Sequence, residues 1–181
     1  MTPEANIAMA DETDPQHVAS PRADLERFLA EAQLPLFRYA YVLCGGRADA
    51  EDLTQDTLLR LVRAGDRVLE VEAPMAYARA TMTNTFLSRG RKSSQYVVAL
   101  EELPDRGQDS HEAEVTARQH LLGLLARLPR RQRAAIVLRY YLGASSSEIS
   151  TTLNCSEATA RSLVHRGLRR LRVDPESREI R

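Results

Sequence analysis

Long apolar runs are missing from this 181-residue chain, and nothing in it approaches the roughly 18 apolar residues that a bilayer-spanning helix needs. Its acidic opening, with Glu4, Asp11, Glu12 and Asp14, is the reverse of the basic start of a secretory signal. Both features point to a cytoplasmic protein. Cysteine is scarce as well. Cys44 and Cys155 stand far apart, without a neighbouring cysteine or closely spaced histidine, so no zinc-ligand pattern is present. They are expected as small half-buried residues, with a regulatory disulfide as the other reading. Glycine and proline number eight each, aromatics are limited to three Phe and six Tyr, and β-branched residues seldom adjoin. Stretches rich in Ala, Leu and Arg therefore set the expectation of an all-α fold.

What is present is the balance of a chain that folds: 43% hydrophobic and 28% charged residues. The formal net charge of zero hides a strong segregation. From Arg127 to Arg172 ten arginines face only Glu148 and Glu157, whereas from Ser93 to Arg118 six acids face only Arg106 and Arg118. A basic module behind an acidic connector is the footprint of a phosphate-binding unit on a linker.

Residues 1–22 combine three prolines and several acids with no apolar period, and are expected as a flexible tail. Leu25, Phe28 and Leu29, then Leu36, Tyr39, Ala40 and Leu43, recur at helical spacing as far as Gly45 and Gly46, with Pro35 as a candidate kink. A second helix is expected with Asp49 as its cap and Asp52 three places on. Its buried stripe would be Leu53, Thr57, Leu58 and Leu61, opposite Asp52, Gln55, Asp56, Leu59, Arg60 and Arg63. A polar loop over 65–73 precedes Pro74, which suits a first helical turn, and Ala78, Met82 and Phe86 mark the inner face of the helix it opens.

The segment from Ser93 to about Ser110 lacks a period and holds Pro104 and Gly107, so it reads as a linker. The expected organisation is thus a tail (1–22), a helical unit (23–92), an acidic linker (93–118), a second helical unit (119–173) and a short tail (174–181). After the stretch without a period, helical periodicity resumes with Val115, Leu121, Leu122, Leu125 and Leu128, breaks at Pro129, and continues through Ala134, Val137, Leu138 and Tyr141 to Gly143.

The last stretch has helix-turn-helix grammar: a short helix from Ser146 to Leu153, a tight turn at Asn154 and Cys155, and a long helix that Ser156 caps. Ile149, Leu153, Ala160, Val164 and Leu171 would pack the two helices together, leaving Glu157, Thr159, Arg161, Ser162, His165 and Arg166 outward for a DNA groove. Asp49, Glu51, Asp52 and Asp56 invite a metal-hydrolase reading, but acids in a first helical turn follow from the helix dipole alone. Neither H-E-x-x-H nor E-x-x-H accompanies them, so no catalytic residue, metal or cofactor is expected.

Across about residues 24–172 these blocks resemble the extracytoplasmic-function (ECF) sigma factors of RNA polymerase, of the actinobacterial type. DAEDLTQDTLLRL (49–61) is similar to the family's core-polymerase-binding helix, which implies that Asp52, Gln55, Asp56 and Arg60 face the clamp of the largest subunit. PMAYARATMTNTFLSRGRK (74–92) resembles the helix that melts and reads the minus-ten element, which implies roles for Arg79, Asn84, Arg91 and Lys92. The stretch from Leu128 to Arg172 resembles the unit that reads the minus-thirty-five element while resting on the polymerase flap. The residues implied there are Ser156, Glu157, Thr159, Arg161, Ser162, His165, Arg166 and Arg169.

Three positions depart from the family pattern: Arg89 for an aromatic, Ser88 for an acid and Leu163 for a basic residue. The implied partners are core RNA polymerase and promoter DNA, with an anti-sigma factor as a further candidate and no membrane. Two other readings stand beside this one: a helix-turn-helix regulator with an N-terminal sensing or dimerisation unit, and an all-α metal enzyme.

Overall fold

A computed structural model describes residues 21–89 and 112–173, and every regular element in them is a helix. The segments 1–20, 90–111 and 174–181 lie outside the described residues, and with them most of the expected tails and linker and the expected site residues Arg91 and Lys92.

Helix α1 (Pro21–Cys44) opens on a first-turn proline, inside the span expected as tail, and runs unbroken through Pro35. It stops where Gly45 takes a φ of 83° and donates back to the Tyr41 carbonyl at 2.7 Å. Helix α2 (Arg47–Ala64) corrects the expected start. Its cap is Gly46, without a side-chain bond, and Asp49 lies inside the first turn, because packing against α1 fixes the entry point and the carboxylate then serves only the helix dipole. The expected loop 65–73 contains a one-turn helix, α3 (Arg67–Glu70), anchored by the fully buried Val68. Helix α4 (Pro74–Arg89) begins at its proline as the sequence indicated.

Tyr39, Leu36 and Leu43 of α1, Leu53, Thr57 and Leu61 of α2, and Ala78, Met82 and Phe86 of α4 close one core. Within it Thr83 donates to the Arg79 carbonyl at 2.8 Å, which leaves its oxygen to accept from the Tyr39 hydroxyl at 2.7 Å. Burial pushes the Tyr39 phenol far above its ordinary range, against the Thr83 bond and the nearby Arg79 charge, so it remains a donor.

Helix α5 (Glu112–Ala126) starts within the span expected as linker. Leu122, Leu124 and Leu125 are buried and Leu121 is exposed. Pro129 then leads into α6 (Arg130–Tyr140), whose Ala134, Ala135, Val137 and Leu138 are buried.

The closing pair is α7 (Ser146–Thr152) and α8 (Glu157–Val173). Ser145 accepts from the Glu148 amide at 3.2 Å while the Glu148 carboxylate accepts from the Ser145 amide at 2.7 Å, a complete capping box. These bonds hold the Glu148 carboxyl below the usual carboxylate range. Asn154 turns the chain with φ 47°, and Ser156 accepts from the Thr159 amide at 3.2 Å to cap α8. Gly167 allows α8 to lie against α6: a Cβ there would come within 2.5 Å of Ile136 Cδ1.

Candidate functional site

Two helix faces, on α2 and α8, carry most of their expected site residues in exposed positions. On α2, Asp52, Gln55 and Arg60 are exposed beside Leu59 and Val62, which leave 54% and 53% of their surface open. Three- and four-residue spacing places these side chains on one connected strip. Val62 was missed by the sequence reading, although its position one turn beyond Leu59 marks it.

Asp56 is not a free acid. Arg89 donates to its Oδ2 through Nε at 3.0 Å and again through Nη2, and it also donates to the Asp52 carbonyl at 2.9 Å. Arg89, the residue that departs from the family's aromatic, thus ties the end of α4 to the middle of α2. Ser88, the neighbouring departure, donates to the Thr85 carbonyl at 2.9 Å.

On α4, Asn84 is exposed on the side away from Met82 and Phe86, with its amide open to solvent. Arg79 is half-buried near the Tyr39 hydroxyl, so it is less available as a phosphate contact than the sequence suggested. Cys44 donates to the Asp49 carbonyl at 3.7 Å, and burial, with the Asp49 charge, pushes its thiol up to about 12. It stays a thiol at neutral pH; both cysteines are free.

On α8 the division is sharp. Ala160, Leu163 and Gly167 are buried and Val164, Leu168 and Leu171 half-buried, while Glu157, Thr159, Arg161, Ser162, His165, Arg166 and Arg169 are exposed. Leu163, where a basic residue is common in the family, is a core residue here at 7% exposure, and no contact with DNA is expected of it. Arg161 and Glu157 pair at 3.2 Å, and Arg166 donates to the Ser162 carbonyl at 3.3 Å. An exposed pair of this kind is worth only about 0.3–0.5 kcal/mol, so neither side chain is committed.

Part of the basic excess of the second unit is tied to backbone carbonyls. Arg131 donates to the Leu153 carbonyl at 2.9 Å and Arg139 to that of Ala144 at 3.0 Å. Arg130 donates to the Phe86 carbonyl at 2.7 Å, and Arg133 to that of Leu43 at 2.9 Å. Counting charge along the sequence could not separate these carbonyl-capping arginines from the solvent-facing ones on α8.

Among the described residues no group of three or more His, Cys, Asp or Glu side chains is placed to hold a metal ion, and no helix is long and apolar enough to cross a membrane.

The model of Sigma-70 region 2 matches residues 29–95, and that of Sigma-70, region 4 matches residues 118–171. The chain is 32% identical over 157 residues to an RNA polymerase sigma-E factor of Streptomyces avermitilis, covering 87% of this chain and 88% of that one. It is also 32% identical over 143 residues to the ECF RNA polymerase sigma factor SigL of Mycobacterium tuberculosis, covering 76% and 81%. In fold it is similar to the sigma factor RpoE of Bartonella quintana, solved with the anti-sigma factor NepR, with a TM-score of 0.62, 23% identity and coverage of 83% and 98%. Extracytoplasmic function sigma factor SigJ of Mycobacterium tuberculosis gives a TM-score of 0.58 at 27% identity, over 86% of this chain and 55% of that one.

Proposed function

The chain belongs to the sigma-70 family, in its extracytoplasmic-function group, and from that premise we propose how its exposed helix faces divide the work of a sigma factor. It is an RNA polymerase sigma factor that directs promoter-specific transcription. In this reading the chain is not itself an enzyme: the polymerase supplies the chemistry, in the cytoplasm, and this chain supplies address and strand opening.

The α2 strip of Asp52, Gln55, Asp56 and Arg60 docks on the clamp of the polymerase's largest subunit. Leu59 and Val62 add apolar area at its centre, and the acids steer a basic partner. On α4, Asn84 offers a donor and an acceptor to an unstacked base of the minus-ten element, with α3 and its flanking turns beside it. Arg91 and Lys92 are assigned to the backbone there, with the half-buried Arg79 as the lesser contact.

The observation that carries the reading is the two-sided build of α8. A capped helix packed on one side by Ala160, Leu163 and Gly167 offers Arg161, Ser162, His165 and Arg166 on the other, which suits the major groove. Ser156, Glu157 and Thr159 begin that face, and Arg169 with the exposed Arg170 extends it toward phosphates. An anti-sigma factor is a further partner by analogy with the Bartonella quintana complex, whose sigma factor shares this fold.

The test is core binding. Purified chain carrying Asp52→Arg and Asp56→Arg should lose capture by core polymerase with its helicity intact; equal capture would remove the α2 assignment.

A further inference from the structure

Helix α4 contains no acid, and its two arginines differ in what they face. Arg79 lies near the buried Tyr39 hydroxyl, whereas Arg89, in the last turn, reaches across to α2. There it donates to the Asp56 Oδ2 through Nε at 3.0 Å and again through Nη2, and to the Asp52 carbonyl at 2.9 Å. This ion pair is not what holds the two helices together. Leu53 and Thr57 of α2 and Met82 and Phe86 of α4 are already buried, while Arg89 and Asp56 keep 34% and 48% of their side-chain surface open. A pair so open to water is weak, and either partner is readily exchanged for another.

The two ends of the pair belong to different binding faces. Asp56 lies on the α2 strip that docks on the polymerase. Arg89 follows Asn84 by five residues, about 7.5 Å along the helix axis, and adjoins the exposed, uncharged Ser88. We infer that Arg89 is a further promoter contact, held by Asp56 in the free chain and transferred to a phosphate of the opened minus-ten strand when the polymerase takes Asp56. The inference rests on the α2 docking and α4 reading proposed above.

Each step favours the other. A cationic group of the polymerase that pairs with Asp56 removes the counter-charge of Arg89, and a phosphate that takes Arg89 leaves Asp56 open to the polymerase. Coupling of this kind is reciprocal, so promoter DNA strengthens docking by the factor by which docking strengthens promoter binding. Ser88, whose hydroxyl is occupied by the Thr85 carbonyl, places no opposing charge beside the transferred cation.

The test titrates the full-length chain with a short, fluorescently labelled single-stranded DNA of mixed sequence, which reports phosphate contacts independently of base readout. Asp56→Asn keeps the side chain's shape and frees Arg89. Asp52→Asn removes the same charge one turn away, where only the backbone carbonyl meets Arg89. Asp56→Asn should therefore gain about threefold more affinity than Asp52→Asn, with a salt dependence steeper by about 0.7, the weight of one phosphate on a single strand. In an Arg89→Gln background the two substitutions should become equal. Equal gains in the presence of Arg89, or a difference that survives its removal, overturns the transfer. Should Asp56→Asn lose helicity, capture by core polymerase decides: Arg89→Gln releases Asp56 and should strengthen capture by up to about fivefold, and weaker capture overturns the proposal. A wild-type chain that core polymerase does not capture at all strikes the α2 docking reading instead, whereas equal gains leave that reading standing.

Discussion

The two helical units solve the same problem, presenting a polar face on a rigid helix, by different means. In the second unit the devices are local in sequence: the Ser145–Glu148 capping box, Asn154 in the left-handed turn, Ser156 on the Thr159 amide. In the first, the defining bonds are remote. Tyr39 meets Thr83, Arg89 meets Asp56, and α2 begins at a glycine with no side-chain cap. A fold held by local devices announces its boundaries, whereas one held by distant burial places them where packing dictates.

The largest expected effect strikes the remote core. Tyr39→Ala should lower stability by about 3–5 kcal/mol, whereas Tyr39→Phe, which keeps the ring and leaves Thr83 its Arg79 carbonyl, should lose only about 1 kcal/mol. Chemical denaturation separates the two, and equal losses would mean that the hydroxyl, not the volume, carries the site.

In the second unit Gly167→Val should cost about 1–3 kcal/mol, because a branched Cβ cannot share the space of Ile136. Thermal melts should show that loss. Ser145→Ala comes next, at about 1 kcal/mol for a lost cap. It also sharpens the pH behaviour. The Glu148 carboxyl sits below its unfolded value, so its contribution is present above that value and disappears as pH falls through the folded one. Acid titration of stability should therefore be shallower in Ser145→Ala than in wild type. Smallest is Arg89→Ala: its partner Asp56 is about half exposed, and the pair should be worth under about 1 kcal/mol in a melt. Freed Asp56 should then strengthen capture by core polymerase slightly, and a weakened capture would show that Arg89 itself belongs to the docking face.

The same contrast explains what was legible beforehand. The turn at Asn154, the Ser156 cap and the inward set Ile149, Leu153 and Ala160 follow from spacing alone, and each is found in place. Pro74 likewise marks its own helix start. The entry of α2 was misplaced because Asp49 has the chemistry of a cap but tertiary packing set the cap three residues earlier, at Gly46. One-turn α3 escaped because a single apolar anchor, Val68, shows no period. The roles of Arg89, Arg130 and Arg133 were invisible, since their partners are carbonyls and a carboxylate from residues 33 to 90 positions away.

Central to the account is that α8 reads sequence through its N-terminal face and meets phosphates further along. Holoenzyme reconstituted from core polymerase and this chain should be assayed for transcription over single-base variants of the minus-thirty-five element at several salt concentrations. Arg161→Ala should lose about 1–3 kcal/mol at its preferred base and little elsewhere, whereas Arg170→Ala should weaken all variants alike and flatten the salt dependence by about one. The same uniform loss from both substitutions at every variant would contradict the readout assigned to α8.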